Sequence, residues 1–454
     1  MPKQHGFKLH TPEERAKTVK KHNDTKDRLK QKLAKKQGGR KICLIMIVKN
    51  ESRIIQRCLT AAKPVIQMVS ICDTGSTDET VNRITEWCTS NEMPFKVHFE
   101  PFQDFGYNRT MSCKLAQETF PEAHYGILLD ADMVLKPTEE FKPELLIYDK
   151  YLVSQVEGSL AYDNIRLINL KRKWECIGVT HEYWDLDESD ALKGCSHSRI
   201  TTMHIDDISD GGCRADKYER DVRLLLGGLE NPKTKPGLRG RYMFYLAQTY
   251  RDMGRNEDAV QWYRKRIEDK YNCWVEEYFH SLYQIGSNYE KLGWKVKEAI
   301  KIVKKAKHND AEIKYMNEYA RTDDGTRLMN ERELEDKAQR MFVSAATEYL
   351  AAFKYRPGRA ESLYNCCRMY RQLSMNEEAY HLAVKGNQIP MTSDTLFVET
   401  NCYKYLFDHE LSIVASYVPG KKPEGREAII RLMHGADIPE DIRKKAEENS
   451  KFYL

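Results

Sequence analysis

Residues 42–51 read ICLIMIVKNE. The first seven are a continuous apolar run, the mark of a strand covered on both faces of a parallel sheet. A membrane span needs roughly 20 such residues, so a buried strand is the reading that fits. Working outward, residues 51–62 (ESRIIQRCLTAA) set Ile54, Ile55, Cys58 and Leu59 on one helical face. A second apolar segment, 65–72, then runs into Asp73-Thr-Gly-Ser-Thr-Asp78. The pattern predicts further helices over 80–90 and 110–119 and strands over 95–99 and 125–129, the last ending in Asp130-Ala-Asp132. Alternation of this kind predicts a doubly wound α/β sheet whose ligands sit beyond the carboxyl ends of its strands. Every polar cluster so far stands at such an end.

The chain has 454 residues, 41% hydrophobic and 31% charged, with a mean hydropathy of -0.68. That composition describes a globular protein with a real core and excludes a disordered or membrane-embedded one. No apolar leader stands near the start, so a cytoplasmic location is expected. Twelve cysteines contain no Cys-X-X-Cys pair, which argues for reduced core thiols over a disulfide framework or a zinc site. The net charge of +5 is uneven. Residues 1–41 hold fourteen Lys and Arg against Glu13, Glu14, Asp24 and Asp27. The basic excess therefore belongs to a tail over 1–40, read as a solubilising extension or as a peripheral contact with anionic lipid or nucleic acid.

After residue 215 the strand signals stop. Residues 241–268 predict a helical hairpin turning at Gly254, and a second copy is expected at 279–305. There Tyr289 and Gly293 repeat Tyr250 and Gly254 at a spacing of 39. A third copy is expected at 360–386, with Tyr370 and Ser374 a further 81 residues on. The resulting expectation is a basic tail over 1–40, an α/β domain over 41–235 and an all-α repeat domain over 236–454. Its aromatic stripes are expected to form the core between repeats.

Two carboxylates one residue apart at a strand end, Asp130 and Asp132, can share a divalent cation with phosphate oxygens. The clusters Val48-Lys49-Asn50-Glu51 and 73–78 lie along the same edge. Helix capping is the plain alternative for both, since Ser76 to Glu79 has the form of a capping box.

These motifs carry a resemblance. The strand with VKNE, the DTGSTD turn, FGYNRTMSCKLA (105–116) and LLDADMVL (128–135) recur in that order in family 2 glycosyltransferases of the GT-A fold, and the resemblance covers roughly 41–215. The helical region, with its period near 40 against about 34 for tetratricopeptide repeats, resembles the tetratricopeptide-like tails that some of these enzymes carry.

The resemblance implies a metal-dependent, inverting hexosyltransferase-like enzyme that takes a nucleotide sugar, expected to be a UDP-sugar, to a protein, glycan or lipid-linked acceptor. Val48, Asn50, Glu51, Asp73, Asp78, Arg109, Asp130 and Ala131 would line the nucleotide-sugar pocket. Asp132, with Asp130 and His204, would hold Mn²⁺ or Mg²⁺, and Glu182 in Gly178-Val-Thr-His-Glu-Tyr-Trp184 would be the base. Lys217 and Arg220 could reach phosphates. One departure touches the contact that selects uracil: many relatives have two consecutive acids where this chain has Asp73-Thr74. The helical repeats would dock the acceptor or a second copy of the chain. The alternatives are a non-catalytic scaffold on the same fold, and a nucleotidyltransferase, whose usual Gly-rich, basic first loop is absent.

Overall fold

The computed structural model describes residues 32, 39–158, 160–211, 216–269, 271, 274–305 and 307–453. Nearly all of the basic tail thus lies outside the described residues. The chain divides into two compact units, one ending at Lys217 and the other running from Tyr218 to Leu454. The first is a mixed-sheet α/β unit and the second is largely helical.

The apolar run forms β1 (Ile42–Val48) and sits inside the sheet as its length and continuity predict. The other strands are β2 (Met68–Asp73), β3 (Phe95–Phe99), β4 (Tyr125–Leu128), β5 (Met133–Pro137), β6 (Lys150–Glu157), β7 (Leu160–Asn169) and β10 (His197–Asp207). β8 (Trp174–Ile177) and β9 (Tyr183–Leu186) pair separately as a hairpin. Sheet order is β3-β2-β1-β4-β7-β6-β10-β5. From β3 to β4 all pairings are parallel, whereas β7 runs antiparallel to β4 and β6, and β5 antiparallel to β10.

Alternation along β1 explains why this strand is apolar throughout. Ile42, Leu44 and Met46 join one core with Ile55, Leu59 and Ile84, which come from helices α1 (Ile55–Ala62) and α2 (Thr80–Ser90). Cys43 and Ile45 face the other core, with Cys113 and Ala116 of α3 (Phe105–Thr119) and with Trp174, Cys176 and Trp184 of the hairpin. Each fully buried aliphatic side chain in such layers stabilises by about 1.5–3 kcal/mol, and a one-residue slip of β1 would exchange the two faces.

In the second unit α4 (Lys217–Glu230) precedes a hairpin of α5 (Pro236–Asp252) and α6 (Asn256–Glu268), turning at Gly254 with φ +77°. Another hairpin, α10 (Glu361–Gln372) and α11 (Asn376–Gly386), turns at Ser374 with φ +62°. The expected second copy is corrected: Val275–Val303 is one helix of 29 residues, α7, with no turn at Gly293. A Cβ on Gly293 would stand 2.8 Å from the Phe342 ring on α9 (Glu331–Tyr355). Glycine serves close helix packing there, and its likeness to Gly254 in spacing is not a likeness in conformation. No helix of the described residues is long and apolar enough to cross a membrane.

Candidate active site

Parallel pairing aligns the carboxyl ends of β1, β2 and β4: Val48 stands opposite Asp73, and Ile45 opposite Leu128. The three polar clusters therefore converge on one edge of the sheet. Asn50 takes the left-handed conformation, φ +57°, which turns the chain sharply after β1 and which asparagine tolerates better than most residues.

Much of the first two clusters is occupied in building itself. The Asn50 N–H donates to Ser76 Oγ at 2.9 Å, and its Oδ1 accepts from the Thr77 N–H at 2.7 Å. Val48 carbonyl oxygen accepts from the Thr74 N–H and hydroxyl. Asp78 accepts from Thr80 N–H and from Ser52 N–H. Burial pushes the Asp78 carboxyl up, but the hydrogen bonds from Ser52 and Thr80 outweigh it and leave it at about 2. Asp78 thus anchors the turn before α2, while the cap residue of that helix, Glu79, makes no side-chain cap hydrogen bond, so the capping box expected from Ser76 to Glu79 does not form.

Asp73 differs. Its Oδ1 accepts from Gly75 N–H and Ser76 N–H, at 3.0 and 2.9 Å, while its Oδ2 is buried with no hydrogen-bond partner among the described residues. A buried acceptor left unpaired costs about 1–3 kcal/mol, so this oxygen suits a donor from a ligand. Beside it in register, at the end of edge strand β3, Phe99 is 71% exposed.

Arg109, on α3, does not reach out along the edge. Its Nε donates to Glu182 Oε1 at 2.7 Å and its second guanidinium nitrogen to Asp130 Oδ1 at 2.8 Å. Burial opposes the charge on Arg109, yet Asp130 and then Glu182 overrule it and hold the guanidinium protonated more firmly than usual. For Asp130 burial likewise works against ionisation, and Arg109 and Arg166 reverse it, so its carboxyl lies below the ordinary range. Arg166, on β7, stands 3.6 Å from Asp130 Oδ2 and donates twice to Gln155 Oε1, whose amide in turn donates to Asp207 at 2.7 Å.

The helix that carries Arg109 is fixed against the β8–β9 hairpin by backbone contact. Phe105 N–H donates to Val179 O, and Cys176 N–H donates to Thr110 Oγ1 at 2.9 Å. Gly106 makes the approach possible, because a Cβ there would fall 2.4 Å from Gly178 O and 2.8 Å from Cys176 O. Gly178 and His181, with φ +118° and +52°, bend the connection so that Glu182 faces Arg109. Trp184 is buried in the core beside α3, whereas Tyr183 is 41% exposed.

Asp132 follows buried Ala131. Its Oδ2 lies 3.1 Å from where a Cβ on Gly211 would be, and Glu51 Oε1 lies 3.4 Å from the same point. These two carboxylates thus flank one small residue after β10. Arg57, on α1, forms a bidentate pair with Asp210 at 2.8 and 2.6 Å and ties that segment down.

His204 is not brought to this group. It is in register with Lys136, four residues beyond Asp132, which is about 13 Å along a strand, and its Nε2 lies 3.3 Å from Asp206 Oδ1. Among the described residues no three His, Cys, Asp or Glu side chains gather as a metal-holding set. Lys217 begins α4 and Arg220 lies 3.5 Å from Asp221. The sequence reading overlooked Gly106, Arg166, Gln155 and Gly211. The glycine before the Tyr-Asn-Arg of α3 was the visible signal for the first.

Residues 43–175, which lie within the first unit, match the family model described as Glycosyl transferase family 2. No curated protein matches the chain. Among solved structures it is similar to glucosyl-3-phosphoglycerate synthase from Mycobacterium tuberculosis in complex with Mn²⁺ and UDP-glucose, at 13% identity and a TM-score of 0.29, covering 45% of this chain and 83% of that one. TarS from S. aureus gives 12% identity and a TM-score of 0.30, covering 51% of this chain, which spans about half (49%) of TarS. TTC0263, a thermophilic TPR protein of Thermus thermophilus, gives 12% and 0.28, with coverages of 52% and 91%.

Proposed function

We propose that this family 2 domain transfers a sugar from a nucleotide-sugar donor, a UDP-sugar, to an acceptor hydroxyl with inversion. One observation carries the proposal: a single arginine, Arg109, holds both Glu182 and the first acid of the Asp130-Ala-Asp132 turn at one sheet edge. Base and diphosphate pocket would otherwise have to be matched across two loops. In the reaction the acceptor oxygen forms its bond to the anomeric carbon, the bond from that carbon to the diphosphate breaks, and the acceptor proton passes to Glu182. The nucleoside diphosphate leaves on the opposite side. Asp73 Oδ2 supports a contact to a base N–H or ribose hydroxyl, with Phe99 offering an exposed ring beside it.

Mg²⁺ and Mn²⁺ are commonly held by one or two carboxylates plus substrate phosphates, and Asp132 with Glu51 beside it fits that donor set. Asp130, engaged by two arginines, and His204, on β10 opposite Lys136, stand outside it. A bound cation would supply positive charge against the departing diphosphate. Asp130 is therefore assigned to positioning Arg109, and Arg109 to positioning Glu182.

The test is turnover of a panel of nucleotide sugars by the full chain with Mn²⁺ or Mg²⁺. Release of a nucleoside diphosphate, abolished in Asp132→Asn, is the expected result. Release of a sugar 1-phosphate, the leaving group of nucleotidyl transfer from such a donor, would mark a nucleotidyltransferase, and no turnover with any donor and acceptor would leave a scaffold.

A further inference from the structure

The helical unit contains a cavity of about 300 Å³ lined by Gln248, Arg251, His280, Phe397, Val398 and Glu399. Its polar groups are not spent on one another. His280, on α7, is only 4% exposed, and neither ring nitrogen has a hydrogen-bond partner among the described residues. The Gln248 side-chain nitrogen, one turn before Arg251 on α5, is likewise buried and unpaired. Native interiors rarely leave such groups unmatched, since each costs about 1–3 kcal/mol.

The chemistry of the lining is mixed. Gln248 and Arg251 donate. Glu399 accepts, and already takes the Tyr283 hydroxyl at 2.7 Å. Burial, helped by the charges of Arg251 and Arg359, pushes His280 down to about 3, so at neutral pH the ring offers one donor and one acceptor. Arg251 is already paired with Asp252 at 2.8 Å, and burial pushes the Glu399 carboxyl up toward its neutral form, so the lining leaves no net charge for a ligand of either sign. The ring of Phe397 lies 4.8 Å from His280 yet is 49% exposed, and its φ is +49°. Left-handed backbone at a bulky residue is strained, and such strain gathers at ligand sites.

We infer that this cavity binds a neutral, hydroxyl-rich ligand, one sugar residue of a glycan, with Gln248, Arg251, His280 and Glu399 on its hydroxyls and Phe397 against its apolar face. Hydroxyls both donate and accept, which is what a mixed and charge-balanced lining needs. At this volume the site is at the small end of ligand pockets and suits a single ring. The inference does not rest on the transfer reaction, which belongs to the other unit.

Saturation-transfer NMR on the full chain, with free glucose, galactose, mannose and N-acetylglucosamine as probes, tests it. At least one sugar should receive saturation. Phe397→Asn keeps a residue that tolerates left-handed backbone and removes the ring, and His280→Phe keeps a buried ring and removes both nitrogens; each should weaken binding about tenfold. Asp132→Asn should leave the signal unchanged while abolishing nucleotide-sugar turnover, so the two proposals fail separately. Absence of saturation for all four sugars, or equal saturation in the Phe397 and His280 variants, overturns the inference. Loss in Asp132→Asn alone also overturns it, by moving the sugar to the first unit.

Discussion

Replacing Gly106 by alanine tests how the site is assembled. Inside a helix this change ordinarily stabilises by about 0.5–1 kcal/mol, because glycine loses more freedom on folding. Here the new methyl would meet Gly178 O at 2.4 Å and Cys176 O at 2.8 Å, both backbone atoms of the hairpin. Backbone cannot swing aside as a flexible side chain can, so α3 must move out. Overpacking of this kind costs about 1–3 kcal/mol, which leaves a net loss of up to about 2.5 kcal/mol after the helix gain. Since Arg109 lies one turn further along α3, the shift also pulls it from Glu182, and a displacement near 1 Å can cost about 10² in rate. Gly227→Ala is the internal control. It lies in α4 with nothing within 4 Å of its Cβ position, so it should stabilise. Urea unfolding of both variants followed by circular dichroism, with initial rates of nucleotide-sugar turnover, reads both effects. A Gly106→Ala protein as stable and as active as wild type would refute the claim that backbone contact between α3 and the hairpin sets the site.

Asp132→Asn should abolish transfer with an unchanged melting curve, and excess chelator should do the same to wild type; full activity in chelator would remove the cation from the proposal. Glu182→Gln should lower kcat by about 10²–10⁴ with donor affinity near normal, whereas a collapse of donor affinity measured by calorimetry would make it a donor contact. Arg109→Met takes the cation from Glu182 and leaves Asp130 with Arg166 alone. The Asp130 and Glu182 side chains keep 27% and 15% exposure, so the destabilisation should be about 2–3 kcal/mol, below the ~3–5 of a fully buried pair. Asp78 sits at about 2 in the folded chain against an ordinary 3.8. Its contribution is present above that ordinary value and lost as pH falls toward 2, so acid titration of Asp78→Asn should show a shallower loss of stability over that window.

What was legible in the sequence follows from the period of each element. β1 and α2 fall where the apolar pattern sets them, because a strand buried on both faces and an amphipathic helix leave strong local signals; β3 falls there too, although it is a half-exposed edge strand. The second half of the sheet was not legible: β6 and β7 form a local hairpin, but β10 pairs with β6 and β5 across long separations, where only register decides which residues meet. His204 shows the consequence: it follows the Asp-X-Asp at a plausible distance in sequence, but pairing opposite Lys136 puts it out of reach of Asp132. Gly293 shows another limit, because a glycine needed for contact with Phe342 and one needed for a left-handed turn are the same letter.

The two acids of the Asp-X-Asp turn have different neighbours, and the sheet order explains why. From Asp207 on β10 a polar chain runs through Gln155 on β6, Arg166 on β7 and Asp130 after β4 to Arg109 and Glu182. β10, β6, β7 and β4 are successive neighbours in the sheet, so each link crosses one strand. Gln155 and Arg166 are 2% and 9% exposed, and a buried network of this kind is tolerable only when every member is satisfied. Asp130 is the point at which the network meets the site, and both its oxygens face arginines. It therefore has little left for a cation, whatever its place in the motif suggests. Asp132 is directed instead toward Glu51 and Gly211. In the proposed reaction the first acid of the turn would transmit the position of the mixed sheet to Glu182, and the second would be the one to meet the diphosphate.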